Sequence, residues 1–154
     1  MKLIAKKRVL VAPLDWGLGH ATRCVPVIRE LVRQYAEVIL AADGRPFAFL
    51  ENEFPDLPIL RLPGYGITYP KHGKLGLHLL FRAPGIAKKI RKEKKAIEML
   101  VKENNIDIII SDNRFACRTD KTFNVYITHQ LNVKAPFGEN FATRFHKKYY
   151  EKFA

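Results

Sequence analysis

Three clusters in this chain combine residue types that could do chemistry. The first is Asp15-Trp-Gly-Leu-Gly-His20. Gly17 and Gly19 let a backbone come close to a ligand, and amides at the start of a helix favour anions. A histidine at a helix N-terminus is held neutral by the helix dipole, and a neutral imidazole can take a proton from a hydroxyl. His20 is therefore the candidate base, with a helix cap or a surface residue as the plainer alternative. The second cluster is Ser111-Asp-Asn-Arg114, where Asp112, Asn113 and Arg114 could contact a substrate, or Asp112 and Arg114 could form a structural ion pair. The third is Thr128-His-Gln-Leu-Asn132, in which His129, Gln130 and Asn132 can each offer a hydrogen bond to a common cleft.

The spacing of the first cluster excludes two phosphate-binding motifs. It lacks the third glycine of the dinucleotide fingerprint GxGxxG, and no Gly-Lys-Ser/Thr follows as in a P-loop. A lone GxG also fits an ordinary tight turn. The sequence shows no DxD-type carboxylate pair to hold a metal.

The elements that must position these clusters follow from hydrophobic periodicity. Arg8-Val-Leu-Val-Ala12, ending at Pro13, reads as a buried parallel strand. His20 to Gln34 has apolar residues at helical spacing, with Pro26 marking a later start or a kink. Glu37 to Ala42 is a second strand, and Phe47, Phe49 and Leu50 suggest a short helix after it. Ile59 to Leu62 is a third strand, followed by a Tyr-, Pro-, Gly- and Lys-rich loop to about Lys74. Leu75 to Asn104 is helical, with Pro84-Gly85 as its expected interruption. Ile106 to Ile110 and Asn124 to Thr128 are the fourth and fifth strands, and Phe141 to Ala154 reads as a last helix. Strands alternating with helices predict an α/β, Rossmann-like, open and mainly parallel sheet flanked by helices. All three polar clusters then fall beyond the carboxyl ends of strands, where such sheets bind ligands.

The 154 residues suit one domain with a real core. Cys24 and Cys117 form no CxxC and no disulfide framework, so both read as reduced core residues. The apolar run after the basic start is too short for a signal peptide, and no stretch approaches a membrane span of roughly 20 apolar residues. The expected location is the cytoplasm. The net charge of +12 calls for an acidic partner. Much of it comes from residues 71–95, where nine basic residues meet one acid, Glu93, beside Leu75, Leu77, Leu79, Leu80 and Phe81. An apolar wedge among lysines suits the anionic inner face of a membrane, and a solvated helix face over a buried stripe is the alternative. No recognised nucleic-acid-binding motif accompanies the charge.

The stretch from Val9 through Gly17-Leu-Gly-His-Ala-Thr-Arg23, with Pro26 after it, resembles the opening of GT-B glycosyltransferases of the family 28 type. That family includes the lipid-intermediate N-acetylglucosaminyltransferase of peptidoglycan synthesis. Thr128-His-Gln-Leu-Asn132 resembles the family's His-Glu-Gln-Asn motif, with Gln130 standing where the family has Glu. The Asp-Trp-Gly-Leu-Gly-His and Ser-Asp-Asn-Arg segments look more closely like a group of bacterial and archaeal glycosyltransferases. The resemblance runs from Arg8 to about Phe145 and implies the N-terminal, acceptor-side half of such an enzyme. It implies that Gly17, Gly19 and His20 line the acceptor side, that His20 is the base, and that His129 and Asn132 help position the acceptor or its phosphates. It also implies metal-independent transfer, with no cofactor, from a nucleotide-sugar (a UDP-sugar) bound mainly by a C-terminal half that this chain lacks. The expected partners are that half, as a domain or a subunit, and an anionic membrane surface. A non-catalytic anchoring subunit of a split enzyme, half of a nucleotide-sugar epimerase and a basic nucleic-acid-binding module are the competing readings.

Overall fold

The computed structural model describes residues 4–64 and 75–128, with backbone only at 75–84, 86 and 87, and the isolated positions 144, 147 and 151. Along the chain run β1 (Arg8–Pro13), α1 (Leu18–Arg33), β2 (Glu37–Ala42), α2 (Gly44–Glu53), β3 (Ile59–Arg61), α3 (Leu75–Asn104), β4 (Ile108–Asp112) and β5 (Phe123–Ile127). The five strands form one parallel sheet in the order β3-β2-β1-β4-β5. The expected Rossmann-like sheet is therefore present. The chain moves outward from β1 to β3, then returns through α3 to place β4 on the other side of β1. The strand order reverses between β1 and β4, and such a switch point opens a crevice at the carboxyl ends of the two strands.

The core lies in two layers because successive side chains of a strand point to opposite faces. Val9 and Val11 of β1, with Val38 and Leu40 of β2, pack under Ala21, Cys24, Ile28 and Leu31 of α1. Leu10 and Ala12, with Ile39 and Ala41, pack on the other face under Ile97 and Val101 of α3. The near-continuous apolar runs of β1 and β2 follow from this double burial. Pro26 lies inside α1 without ending it. The α3 backbone likewise stays helical through Pro84-Gly85, where the sequence predicts a break. Pro84 and Gly85 together cost a helix interior about 4 kcal/mol relative to alanine, a term of the size that burial of Ile90, Ile97 and Val101 further along α3 can offset.

A second difference concerns β4. The apolar run predicts a strand over 106–110, yet the ladder runs from Ile108 to Asp112. Asp107 explains the late start. Its carboxylate accepts from the Arg8 amide at 2.9 Å, and that bond holds the carboxyl below the usual carboxylate range. Pairing then begins with Val9 opposite Ile108 and ends with Ala12 opposite Ser111 and Pro13 opposite Asp112. Two polar residues expected in a loop are thus the last rungs of a central strand.

The carboxyl ends are tied to one another. Asp43 accepts from the Gly44 amide at the start of α2 at 2.9 Å and from the Gly64 amide beyond β3 at 3.3 Å. Gly64 also packs directly against the Asp15 side chain, so any Cβ there would collide with it. The Tyr-Pro-Gly-Lys loop to Lys74 and the expected helix from Phe141 lie outside the described residues, the isolated positions apart.

Candidate functional site

β1 ends at Pro13, and the chain turns through Leu14 to Gly17 into α1. The Leu14 amide donates to the Asp112 carbonyl at 3.0 Å, which carries the β1–β4 ladder one step into the loop. Gly17 is the N-cap of α1, at φ 76°, a conformation that favours glycine, and no side chain caps the helix there. Gly17, Leu18 and Gly19 are exposed, and a Cβ added at either glycine would meet nothing among the described residues. The start of α1 therefore leaves its backbone accessible, as close approach by a ligand requires.

His20 sits in the first turn of α1, 8% exposed, on the side that faces the sheet. It is neither the helix cap nor a surface residue. Its Nδ1 lies 3.1 Å from Oδ2 of Asp112, the last residue of β4. The switch point explains the meeting: Pro13 and Asp112 are register partners, so the turn after β1 brings His20 over the end of β4. Asp112 is fully buried. Its Oδ1 has no hydrogen-bond partner among the described residues. A buried carboxylate in that state presents a strong negative field to its neighbours. Two neighbours register it: burial first, and then Asp112, push the Cys24 thiol up to about 12 and raise the Tyr126 phenol well above its ordinary value.

Arg23, one turn further along α1, completes the cluster. Its Nε donates to Asp112 Oδ2 at 3.1 Å, its Nη2 lies 3.1 Å from the same oxygen, and Nη2 is 2.8 Å from His20 Nδ1. Sequence reasoning did not single out Arg23, although its i+3 spacing from His20 puts the two on one helix face. The imidazole can use Nδ1 to donate to Asp112 or to accept from Arg23, and the choice decides whether Nε2 carries a lone pair or a proton.

The rest of the Ser111–Arg114 cluster has other duties. Asn113 is 9% exposed at φ 56°, in the left-handed region that Asn tolerates, and its Oδ1 accepts from the Tyr126 hydroxyl at 3.2 Å. Arg114, expected to contact substrate or pair with Asp112, is instead fully buried. Its guanidinium pairs with Glu93 of α3 at 2.5 Å and donates to the carbonyls of Pro13, Leu62 and Pro63 at 3.3, 3.3 and 2.8 Å. It fastens α3 and the ends of β1 and β3 together beneath the crevice. Ser111 turns inward too, its hydroxyl donating to the Arg114 carbonyl at 2.8 Å. His129, Gln130 and Asn132 lie outside the described residues. Among the described residues no three His, Cys, Asp or Glu side chains gather as a metal set.

The basic helix has a clear division of faces. Ile90, Glu93, Ile97 and Val101 are buried at i, i+3, i+7 and i+11, while Lys88, Lys89, Arg91, Lys92, Lys94 and Lys95 are exposed on the rest of the circumference. Among the described residues no helix is long and apolar enough to cross a membrane.

A solved structure shares this architecture. The MurG of Acinetobacter baumannii is 16% identical and superposes with a TM-score of 0.56, covering 94% of this chain and 39% of its own. The chain thus spans well under half the length of that protein, and the likeness is one of fold, the GT-B type expected from the Gly-His motif. The UGT2 of Phytolacca americana, solved with UDP-2fluoro-glucose and pterostilbene, is 18% identical over 70% of this chain and 26% of its own, with a TM-score of 0.48. No curated protein matches the chain. The family model described as Glycosyl transferase family 1 matches residues 8–133, a span that takes in all five strands, the His20 turn and Asp112. On that match over most of its length, the chain belongs to glycosyl transferase family 1 and is a glycosyltransferase domain.

Proposed function

We propose that this domain is the acceptor-binding side of an enzyme that transfers a sugar from a nucleotide-sugar, a UDP-sugar, to the hydroxyl of a lipid- or phosphate-linked acceptor. The observation that carries the reading is the His20–Asp112 pair at the switch point of the sheet. When Nδ1 donates its proton to Asp112, Nε2 holds a lone pair and can take the proton of the acceptor hydroxyl. The acceptor oxygen then bonds to the anomeric carbon, and the bond from that carbon to the diphosphate breaks, the leaving group keeping the electron pair. Asp112 orients the ring and stabilises the imidazolium that forms, the role a carboxylate plays behind any histidine base. The accessible backbone from Gly17 to Gly19 gives the acceptor a place beside His20. The nucleotide-sugar is held mainly by a second, C-terminal domain or subunit.

Asp112→Asn tests the pair. The substituted amide is nearly the same shape but donates an N–H to Nδ1, which keeps the imidazole proton on Nε2. In an enzyme containing both domains, kcat falls by about a hundredfold or more, the range for loss of general base catalysis. The acceptor KM changes little. An unchanged kcat overturns the role of the pair.

The exposed cations of α3 support peripheral binding to the inner, anionic face of the membrane, where such an acceptor resides. Each basic residue near an anionic surface contributes about 1 kcal/mol. Replacing Lys88, Lys92 and Lys95 together with Gln then lowers partition onto phosphatidylserine vesicles by roughly a hundredfold. Cosedimentation measures it, with neutral vesicles as the control. Equal partition of both proteins removes the membrane from the proposal and leaves the catalytic assignment standing.

A further inference from the structure

We infer that Arg23 sets the tautomer of His20, holding the ring in the Nε2–H form while the guanidinium stays on Nδ1. The inference builds on the reading of His20 as the base, because in that form Nε2 cannot accept a proton. A guanidinium is always protonated and has no acceptor atom. Its Nη2 lies 2.8 Å from Nδ1, which is hydrogen-bond distance, so the contact is attractive only when Nδ1 presents its lone pair. The other tautomer would turn two N–H groups against each other at that distance.

Asp112 tolerates this arrangement because Arg23 serves it as well. Oδ2 accepts from Nε at 3.1 Å and lies 3.1 Å from Nη2, so it does not depend on a proton from the imidazole. The same carboxylate determines which tautomer the ring adopts once the guanidinium leaves. Once Nε and Nη2 withdraw, Oδ2 loses both Arg23 donors, and Oδ1 already has none among the described residues, so the wholly buried carboxylate is left short of donors. A buried carboxylate in that condition gains by taking a charge-assisted bond from Nδ1–H. Moving the ring proton from Nε2 to Nδ1 then bares Nε2. The guanidinium is the member able to move: the Arg23 side chain is 33% exposed, whereas that of Asp112 is 0% exposed and that of His20 is 11% exposed. Arg23 is thus a positioning residue that acts through His20, and its displacement switches the imidazole into the form a base requires.

Long-range 1H–15N NMR of the labelled protein reads the tautomer directly. The spectrum is taken at alkaline pH, where one pyridine-like and one pyrrole-like shift mark a neutral ring and two pyrrole-like shifts mark a protonated one. His20→Gln identifies the His20 signals by their loss. In the unsubstituted protein Nδ1 carries the pyridine-like nitrogen shift and Nε2 the pyrrole-like one. In Arg23→Met, which keeps the bulk and removes every donor, the two shifts exchange. If Arg23→Met does not fold, Arg23→Leu serves: it too removes every donor from Nδ1 and Oδ2, and the signals again move toward Nδ1–H. A Nδ1–H pattern in the unsubstituted protein overturns the inference, as does an unchanged pattern in the folded variant. Neither result touches the base assignment, which turns on sugar transfer by His20→Ala and not on the nitrogen shifts.

Discussion

His20→Ala, placed in an enzyme that also contains the donor-binding domain, loses sugar transfer by about 10²- to 10⁴-fold in kcat, the range for removing a general base. The loss falls on kcat because the imidazole acts on a proton that moves only during reaction. Donor binding, assigned to the other domain, is unaffected. The fold survives. The imidazole is buried, but the Arg23–Asp112 ion pair beneath it remains and keeps the carboxylate compensated. The stability cost is about 1–2 kcal/mol, that of a buried side chain removed without stranding a charge. A circular-dichroism melt checks that figure beside the assay. The double variant with Asp112→Asn distinguishes a functional pair from two separate sites. Groups that act as a unit lose activity once, so the second substitution adds almost nothing. Near-normal turnover of His20→Ala with an intact melt sinks the base assignment. Multiplicative losses in the double variant separate Asp112 from it.

Much of this arrangement can be read in the residues, and the parts that cannot have physical reasons. The apolar runs at Val9 and Val38 announce buried parallel strands, and the turn chemistry of Gly17 and Gly19 puts His20 at the start of a helix. The crevice position follows from parallel topology alone. What periodicity does not encode is pairing. Ser111 and Asp112 read as loop because polarity ends an apolar run, yet Ala12 and Pro13 continue the ladder opposite them. That extension carries Asp112 into the interior beside His20, a meeting across 92 positions that no local signal specifies. Arg23 is within reach of helix geometry, three positions from His20. Arg114 misleads for a different cause. A charged side chain at a strand end reads as solvent- or ligand-facing, and only a buried counter-charge from a distant helix turns it inward. That counter-charge has a local trace. Glu93 is the lone acid among nine bases in residues 71–95, and it falls on the same stripe as Ile90 and Ile97. An acid on the apolar face of a basic helix is one that faces a buried cation.

Arg114→Met carries the largest expected effect on stability, because of that inward turn. The guanidinium is 0% exposed and the Glu93 side chain 1% exposed. Methionine matches much of the volume but removes the cation facing Glu93 and the donors to the Pro13, Leu62 and Pro63 carbonyls. Breaking one side of a buried ion pair costs about 3–5 kcal/mol, a large share of the roughly 5–15 kcal/mol that holds a domain folded. Urea denaturation measures it as a drop in midpoint. The companion variant separates charge from packing. Adding Glu93→Leu to Arg114→Met removes the remaining buried charge, and apolar replacement of both partners of such a pair is often neutral. The double variant is therefore more stable than Arg114→Met alone, though short of the original because the three carbonyls still lack their donor. Equal stability of the single and double variants would show that the ion pair contributes nothing beyond the carbonyl contacts. The carbonyl contacts have their own consequence at the crevice. Pro13 lies opposite Asp112 in the ladder and its carbonyl rests on Arg114, so the cation that ties α3, β1 and β3 together also fixes the floor on which Asp112 meets His20. Loss of Arg114 accordingly weakens the histidine–carboxylate geometry before it unfolds the domain.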